Sequence, residues 1–224
     1  VFILSLRQVK NTQDRMKNGF HFEDQPQISK FLKQLPYETV GVHLLKNGGE
    51  QKQPAYSAKN PQKLVPALED NGQVFTQSLA IIEYLDEAYP AQPLLPAAAT
   101  ERARVRAMAQ LIACDIHPLN NLRVLGYLQK QLGADETAKT EWYRHWIQEG
   151  FTALETLLQS EQTGRFCHGD TPTLADCCLV PQVYNARRFQ VDLNPYPTIV
   201  RIVAECEALP AFQTAAPENQ PDAE

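Results

Sequence analysis

The order of apolar and polar positions divides the chain at a proline-rich segment. Before that segment, short apolar runs predict strands at residues 1–6, 38–45, 64–69 and 73–76. Apolar side chains at helical spacing predict helices at residues 26–34 and 78–89. This mixture predicts a small α/β domain over residues 1–90, in which the polar and irregular residues 1–34 are atypical.

Two local signals add detail to this first domain. Asn71 and Gly72 supply the positive φ angles that a tight turn needs, so residues 64–76 are predicted to form a β-hairpin. Ser78 directly precedes an apolar stripe and is predicted to be the N-cap of its helix.

The proline-rich segment, residues 90–96, holds three prolines in seven residues and predicts a linker. Beyond it the pattern is helical throughout, which predicts an all-helical domain over residues 97–216 and a disordered tail at 217–224.

Thr100 is the expected cap of the first long helix of this domain, and Pro118 is expected to kink or break that helix. Gly133 should end the helix that continues from there. The next helix is expected to turn these residues inward: Trp142, Trp146, Phe151, Leu154 and Leu158.

Composition excludes several classes of protein. The 224 residues carry a net charge of −5, and the arginines at 102, 104 and 106 are expected to be solvated, so we expect no nucleic-acid partner. No run of 18 apolar residues predicts a membrane span. Five cysteines without a Cys-x-x-Cys pair predict neither a disulfide framework nor a metal site, and favour a reducing, cytoplasmic location.

Two dipeptides of the first domain carry candidate chemistry. A cis bond between Val65 and Pro66 would expose the Val65 amide and carbonyl to an extended ligand, whereas a trans bond would make an ordinary edge-strand proline. Gln77 and Ser78 lie at the start of a predicted helix, whose free backbone amides could bind a carboxylate. The alternative is that Ser78 is an ordinary N-cap without a ligand. The two dipeptides together, across one hairpin, point to a binding site more specifically than either alone.

The helical domain contributes polar residues near Pro118. His117, Asn121 and Arg123 crowd the expected kink, where freed backbone groups form the edge of a pocket, although a lone helical histidine is usually structural. Arg188 ends a helix, where it either grips a carboxylate or interacts with the helix dipole.

A further motif in this domain is structural. Thr173 and Asp176 have the spacing of a capping box, so Asp176 is predicted to be a cap rather than a catalytic acid.

The sequence resembles the zeta class of cytosolic glutathione transferases, most closely its bacterial maleylacetoacetate isomerases and the related maleylpyruvate isomerases. The resemblance runs from Leu35 to Ala216 and implies a thioredoxin-like domain followed by a helical bundle. The matching text covers residues 60–68, 77–86, 94–96, 114–125, 169–182 and 186–197.

The resemblance also implies a cofactor, a substrate and roles for residues. The cofactor is glutathione, whose thiolate adds to a cis double bond so that the bond can rotate before elimination returns the trans isomer. Val65 would pair with the glutathione backbone, Gln77 and Ser78 with its γ-glutamyl carboxylate, and Gln51 with its glycyl end. The residues that would reach across from the helical domain are His117, Asn121 and Arg123. Arg188 would grip a carboxylate of a small dicarboxylic substrate, and the family implies a homodimer.

The sequence departs from the family at its N-terminus. The family's serine motif, which stabilises the thiolate, should fall near residues 20–27, where no serine, cysteine or arginine stands. Ser5 and Ser29 are the weak candidates for that catalytic role. Residues 1–34 therefore represent a frameshifted or mis-started reading, a divergent start with a relocated thiol partner, or a chain that has lost thiol activation.

The hypotheses about function fall into two classes, an enzyme and a binding protein. The first is a glutathione-dependent cis–trans isomerase that converts maleylacetoacetate to fumarylacetoacetate in aromatic amino-acid catabolism. Its variants are a maleylpyruvate isomerase and a general glutathione transferase. The alternative of another class is a non-catalytic binding protein with the same fold, which the missing serine motif favours and the arginines of the helical domain oppose.

Overall fold

The computed structural model describes residues 2–5, 28–29, 32–36, 38–44, 46–216 and 219. Its contacts divide the chain into two compact units, of which the first combines the chain up to Pro93 with the segment that begins at Pro210, and the second is Leu94–Leu209. The first unit is mixed α/β and the second is helical. The predicted order of an α/β part followed by an all-α part is therefore confirmed.

The first unit contains a four-stranded sheet in the order β2-β1-β3-β4. The strands are β1 (Phe2–Ser5), β2 (Glu38–Gly41), β3 (Ala67–Asp70) and β4 (Gln73–Thr76). β3 and β4 form the predicted hairpin, with Asn71 and Gly72 at φ 50° and 80° in its turn. β1 runs parallel to β3 but antiparallel to β2, so β1 and β2 are not the parallel pair of a βαβ unit.

The helices follow the predicted sequence of elements, with short additions. The α-helices are α1 (Pro54–Ser57), α2 (Ser78–Ala88), α3 (Ala99–Gln110), α4 (Leu122–Leu132), α5 (Glu136–Leu157), α6 (Leu174–Arg188), α7 (Pro197–Glu207) and α8 (Pro210–Ala215). Short 3₁₀ helices lie at Lys46–Gly48, Glu50–Lys52 and His117–Asn120, and a π-helix lies at Leu111–Ile116. Residues 28, 29 and 32 are helical, in agreement with the helix predicted over 26–34.

Strand β3 separates two apolar clusters of the first unit, because successive side chains of a strand point to opposite faces. Leu68 packs with Ile81 and Leu85 of α2. Ala67 packs with Tyr56 and other buried residues on the opposite side. The hairpin therefore holds α2 on one face and the loop around α1 on the other.

A buried lysine ties the C-terminal end of α2 to the rest of the first unit. The Lys33 side chain is fully buried, and its ammonium lies 2.7 Å from the Asp86 carboxylate. The ammonium also donates to the carbonyls of Tyr89 (3.0 Å), Ala91 (3.4 Å) and Gln92 (3.2 Å). A cation is favourable here because the C-terminal end of a helix carries partial negative charge.

A buried carboxylate ties β3 to the same helix. Asp70 Oδ2 accepts hydrogen bonds from the hydroxyls of Tyr84 (2.6 Å) and Tyr89 (2.9 Å). The Tyr84 ring stacks on Phe75, with 3.9 Å between the ring centroids. The hydrogen bond to Asp70, together with burial, raises the pKa of Tyr84 from its ordinary value of 10.0 to about 12.

Helix α6 is the centre of the second unit. Twelve of its residues are buried, so it is enclosed on all sides. Asp176 forms the predicted capping box with Thr173 and also accepts from the Cys167 amide at 2.9 Å. The prediction that Asp176 is a cap is thus confirmed, and its carboxylate oxygens are occupied by backbone and hydroxyl donors.

Arg104 corrects the expectation that the arginines of α3 are solvated. It is half-buried, and its guanidinium donates to the carbonyls of Cys167 (2.9 Å) and Leu157 (3.1 Å) and to Thr163 Oγ1 (2.9 Å). The planar fork of an arginine suits three such acceptors from separate chain segments. Arg104 therefore joins the end of α5 to the loop that precedes α6.

Two predicted helix starts are wrong. The N-cap of α2 is Gln77, not Ser78, and the N-cap of α3 is Ala98, not Thr100. Gln77 has a φ of 71°, so the chain already turns there and Ser78 becomes the first helical residue. A favourable cap contributes only about 1 kcal/mol, so the path of the incoming chain decides where the helix begins.

Other predictions for the second unit have mixed outcomes. The α-helical hydrogen bonding that starts in α3 has ended before Pro118, and Gly133 ends α4 with a φ of 68°, as expected. Phe151, Leu154 and Leu158 are buried as predicted. Trp142 and Trp146 are only half-buried, because Tyr143 and Ile147 occupy the inward face of that part of α5.

Replacing Lys33 with methionine should destabilise the protein by about 3–5 kcal/mol, since the Asp86 carboxylate and three carbonyls would lose a buried cation. The matched control is Lys59→Met, because Lys59 pairs with Glu69 at 2.8 Å on the surface. We expect that control to cost under about 1 kcal/mol. Urea denaturation of both variants measures the difference, and equal losses would contradict the assigned role of Lys33.

Replacing Asp70 with asparagine should lower the pKa of Tyr84 from about 12 towards 10.0, because the charged acceptor is removed. A folded-state pKa above the ordinary value means that the neutral hydroxyl stabilises the fold below pH 10 and that this contribution is lost as the pH rises to about 12. The variant should therefore show a smaller alkaline loss of unfolding free energy in this range. Tyrosine Cζ NMR, with Tyr84→Phe for assignment, measures the pKa, and an unchanged value would refute the assignment.

Candidate functional site

The predicted ligand-pairing residue, Val65, is positioned by hydrogen bonds to its neighbour. The Leu64 carbonyl accepts from the Tyr56 hydroxyl and from Asn60 Nδ2, both at 2.6 Å. The Val65–Pro66 bond is cis, which is the first of the two alternatives left open by the sequence. Among the described residues, no hydrogen bond reaches the Val65 amide or carbonyl. This backbone is therefore available to an extended ligand.

The β3–β4 hairpin connects Val65, which precedes it in the sequence, to the N-terminal end of α2, which follows it. Gln77 precedes the helix with a φ of 71°, and no side chain caps the first amides of α2. Gln77 Nε2 donates to Gln62 Oε1 at 2.7 Å, which holds the Gln77 side chain against the loop that carries Val65. Ser78 is half-buried beside these uncapped amides. A helix N-terminus without a cap suits an anion such as a carboxylate.

Gln51 is a buried polar residue of the same unit. Its Nε2 donates to the Leu44 carbonyl at 3.4 Å. Its Oε1 is buried and has no hydrogen-bond partner within the described chain. A buried acceptor without a partner is costly, so this atom is a candidate contact for a ligand donor.

The second unit brings two of its predicted site segments to the same part of α5. Trp142 Nε1 donates to the Leu119 carbonyl at 2.9 Å, and Asn120 Nδ2 donates to the Tyr143 carbonyl at 3.2 Å. Arg144 Nε donates to the Phe189 carbonyl at 2.7 Å. Consecutive residues of α5 thus hold both the 3₁₀ helix His117–Asn120 and the end of α6.

Tyr143 contacts both of these segments, and it is not among the site residues predicted from the sequence. Its ring stacks on Phe189 with 3.6 Å between centroids. Burial raises the pKa of Tyr143 to about 12, and the Arg188 guanidinium opposes this shift, so Arg188 acts electrostatically on Tyr143. The signal was present in the sequence, because Tyr143, Ile147 and Phe151 recur at helical spacing.

The individual residues of the predicted constellation differ in their surroundings. His117 is half-buried at the start of its 3₁₀ helix. Asn121 is the N-cap of α4, and its side-chain oxygen accepts from the Arg123 amide at 3.1 Å. The Asn121 side chain therefore has a structural function here, and only its amide nitrogen is left to donate to a ligand.

Two arginines of this unit carry charge that no described residue pairs. Arg123 and Arg188 are exposed, and no described residue forms an ion pair or a side-chain hydrogen bond with either guanidinium. Arg187, by contrast, pairs with Glu207 at 2.5 Å. Arg123 and Arg188 are therefore available to an anionic ligand.

No cysteine thiol with a resolved pKa shift is activated. Burial raises the pKa of Cys114, Cys167, Cys178 and Cys206. Because the thiolate is the reactive form, these residues are poor nucleophiles. Thiol chemistry at this site would need a thiol from a ligand.

The thiol-activating group stays a prediction. Residues 20–27, where the family motif would fall, lie outside the described residues. Ser29 is completely buried. Ser5 lies in β1, opposite Glu38 on one side and Glu69 on the other.

The described part of the chain holds no cluster of three or more histidine, cysteine or acidic side chains that suits a metal ion. None of its helices is long and apolar enough to span a membrane.

Comparisons with known proteins agree with this geometry. The family model described as glutathione S-transferase, N-terminal domain, matches residues 27–93, and the C-terminal domain model matches residues 121–214. A probable maleylacetoacetate isomerase of Vibrio cholerae is 53% identical over 196 residues, which cover 88% of this chain and 91% of that protein.

Solved structures give the same result. A holo maleylpyruvate isomerase, described as a bacterial glutathione S-transferase of the zeta class, has a TM-score of 0.87 and 53% identity, and the match covers 91% of this chain and 95% of that one. A maleylacetoacetate isomerase from Methylobacterium extorquens with bound malonate and glutathione also has a TM-score of 0.87, at 39% identity, with 94% and 100% covered. The chain belongs to the glutathione S-transferase family, in its zeta class.

Proposed function

We propose that this protein is a glutathione-dependent cis–trans isomerase that converts maleylacetoacetate to fumarylacetoacetate, in the breakdown of aromatic amino acids. The observation that carries the proposal is the presence of Arg123 and Arg188 as exposed cations without a partner in the described chain. A site for a dianionic substrate needs such cations, and Arg188, which is not among the residues assigned to glutathione, would have no role in a protein that only binds glutathione. The relatives that share the family are named for this class of reaction.

The first unit fits glutathione. The Val65 amide and carbonyl would pair with the peptide backbone of the ligand, and the uncapped start of α2 at Gln77 and Ser78 would bind the γ-glutamyl carboxylate. The unpartnered Gln51 Oε1 would meet the glycyl end. Glutathione supplies the thiolate nucleophile when it is bound, which this chain's own raised-pKa cysteines do not provide.

The second unit would bind the rest of the ligand and the substrate. We assign His117, Asn121 and Arg123 to ligand contacts and Arg188 to a substrate carboxylate. The Arg188 guanidinium can hold a carboxylate by two parallel hydrogen bonds, and its charge favours the negative charge that develops on the substrate during the reaction. Tyr143 and Phe189 support this end of α6 through their stacked rings.

Maleylpyruvate is the second candidate substrate. A maleylpyruvate isomerase is among the solved structures that match over most of the chain. Both substrates present a cis double bond between carboxylate and carbonyl groups, so the same arginines would serve either. Relative kcat/KM for the two substrates decides between them.

We also propose a homodimer in the cytoplasm. The family resemblance implies the dimer, and the five free cysteines support a reducing compartment. Sedimentation velocity tests the dimer, since a single species at the monomer mass would contradict it.

The direct test of the proposal is to incubate the purified protein with maleylacetoacetate, with and without glutathione, and to follow conversion to the fumaryl isomer optically. We expect turnover only with glutathione, because no described thiol with a resolved pKa shift is activated. Glutathione binding without turnover would instead support the non-catalytic binding protein.

The role of Arg188 gives a second test. Arg188→Ala should lower kcat/KM by about 10- to 100-fold, through both KM and kcat, because the bond to the substrate carboxylate and the stabilisation of the developing negative charge are both lost. Arg187→Ala is the matched control, since it removes the same charge from the neighbouring position and loses only an exposed ion pair with Glu207. Equal effects of both substitutions would show a general charge effect and exclude the specific role.

A further inference from the structure

The loop that carries Gln51 is closed by backbone hydrogen bonds around Gly49. The Gly49 amide donates to the Lys46 carbonyl at 2.8 Å, and the Glu50 amide donates to the His43 carbonyl at 2.8 Å. The Glu50 carboxylate in turn accepts from the His43 amide at 2.7 Å. The backbone position of Gly49 is therefore fixed from both sides.

Gly49 leaves space that the Gln51 amide fills. Gly49 is buried with a φ of 100°. A Cβ atom at this position would lie 2.8 Å from Gln51 Oε1, 2.9 Å from Gln51 Nε2 and 2.9 Å from the Leu44 carbonyl oxygen. Atoms do not approach a Cβ this closely, so any side chain at position 49 has to displace the Gln51 amide or the Leu44 backbone.

The orientation of the Gln51 amide follows from its neighbours. Its Nε2 faces the Leu44 carbonyl at 3.4 Å, whereas the opposite orientation would place two oxygen acceptors against each other. Its Oε1 is left buried and without a partner in the described chain. The side chain thus offers an acceptor, and the ligand group that satisfies it must be a donor.

We propose that Gly49 is a positioning residue for glutathione binding, because it alone leaves room for the orientation in which Gln51 Oε1 accepts from the glycyl amide N–H of the tripeptide. This inference rests on the proposed function, in which glutathione binds with its glycyl end at Gln51. Gly49 itself makes no ligand contact, and it acts through the side chain two residues later.

The neighbouring glycine provides a matched control. Gly48 has a φ of 77°, so an alanine there is also strained by a positive φ. A Cβ at Gly48 would have nothing within 4 Å. Gly48→Ala therefore strains the backbone of the same loop without a contact to Gln51.

Isothermal titration calorimetry with glutathione and with γ-glutamylcysteine, which lacks the glycyl residue, tests the proposal. We expect Gly49→Ala to weaken glutathione binding by about 3- to 10-fold, the effect of one lost hydrogen bond, and Gly48→Ala to bind like the unmodified protein. Neither substitution should change the affinity for γ-glutamylcysteine. Gln51→Ala should lower the affinity for glutathione as much as Gly49→Ala does. The double variant should bind glutathione no more weakly than either single variant.

The outcomes separate this inference from the function on which it rests. Additive losses in the double variant, or an equal loss of γ-glutamylcysteine binding in Gly49→Ala, would overturn the positioning role. Unchanged glutathione affinity in Gly49→Ala would overturn it while leaving the proposed function intact. No glutathione binding by the unmodified protein would overturn both. If Gly49→Ala does not fold, Gln51→Ala still tests the premise, because an unchanged affinity of that variant for glutathione would exclude the glycyl contact and, with it, the positioning role.

Discussion

A single buried carboxylate anchors the first turn of the central helix of the second unit. Asp176 lies in the first turn of α6, where its charge complements the helix dipole, and it accepts from Thr173 and Cys167. Burial raises its pKa, and these hydrogen bonds oppose the shift, so the donors are what make a charge tolerable inside the unit. Because α6 is enclosed along most of its length, the position of Arg188 at its other end depends on this anchor.

The first unit uses the opposite charge at the opposite helix end. Lys33 neutralises the C-terminal carbonyls around α2, while no side chain caps the N-terminal amides of that helix. The carbonyls at the C-terminal end of α2 are thus satisfied within the protein, whereas the amides at its N-terminal end, which carry partial positive charge, are available to an anion. The candidate glutathione site is therefore a consequence of how one helix is terminated, more than of any single side chain.

Local signals in the sequence predicted the features that depend on neighbouring residues. Asn71 and Gly72 specified the hairpin turn, and Thr173 specified its capping box, because both need only contacts a few residues apart. The acceptors of Arg104 and the antiparallel pairing of β1 with β2 involve residues far apart in the chain, so no local pattern predicts them. The family model begins at residue 27. For the residues before that point, the family therefore predicts neither the fold nor the group that activates the thiol.

The charge available to a ligand is a property of the fold rather than of composition. Arg104 is committed to backbone carbonyls and Arg187 to Glu207, although nothing in the sequence separates them from the arginines predicted to bind ligand. Arg187 and Arg188 differ by about 100° around the axis of α6, which directs one towards Glu207 and leaves the other without an acidic partner in the described chain. The net charge of −5 says nothing of this, since a substrate dianion responds to the cations that folding leaves unpaired.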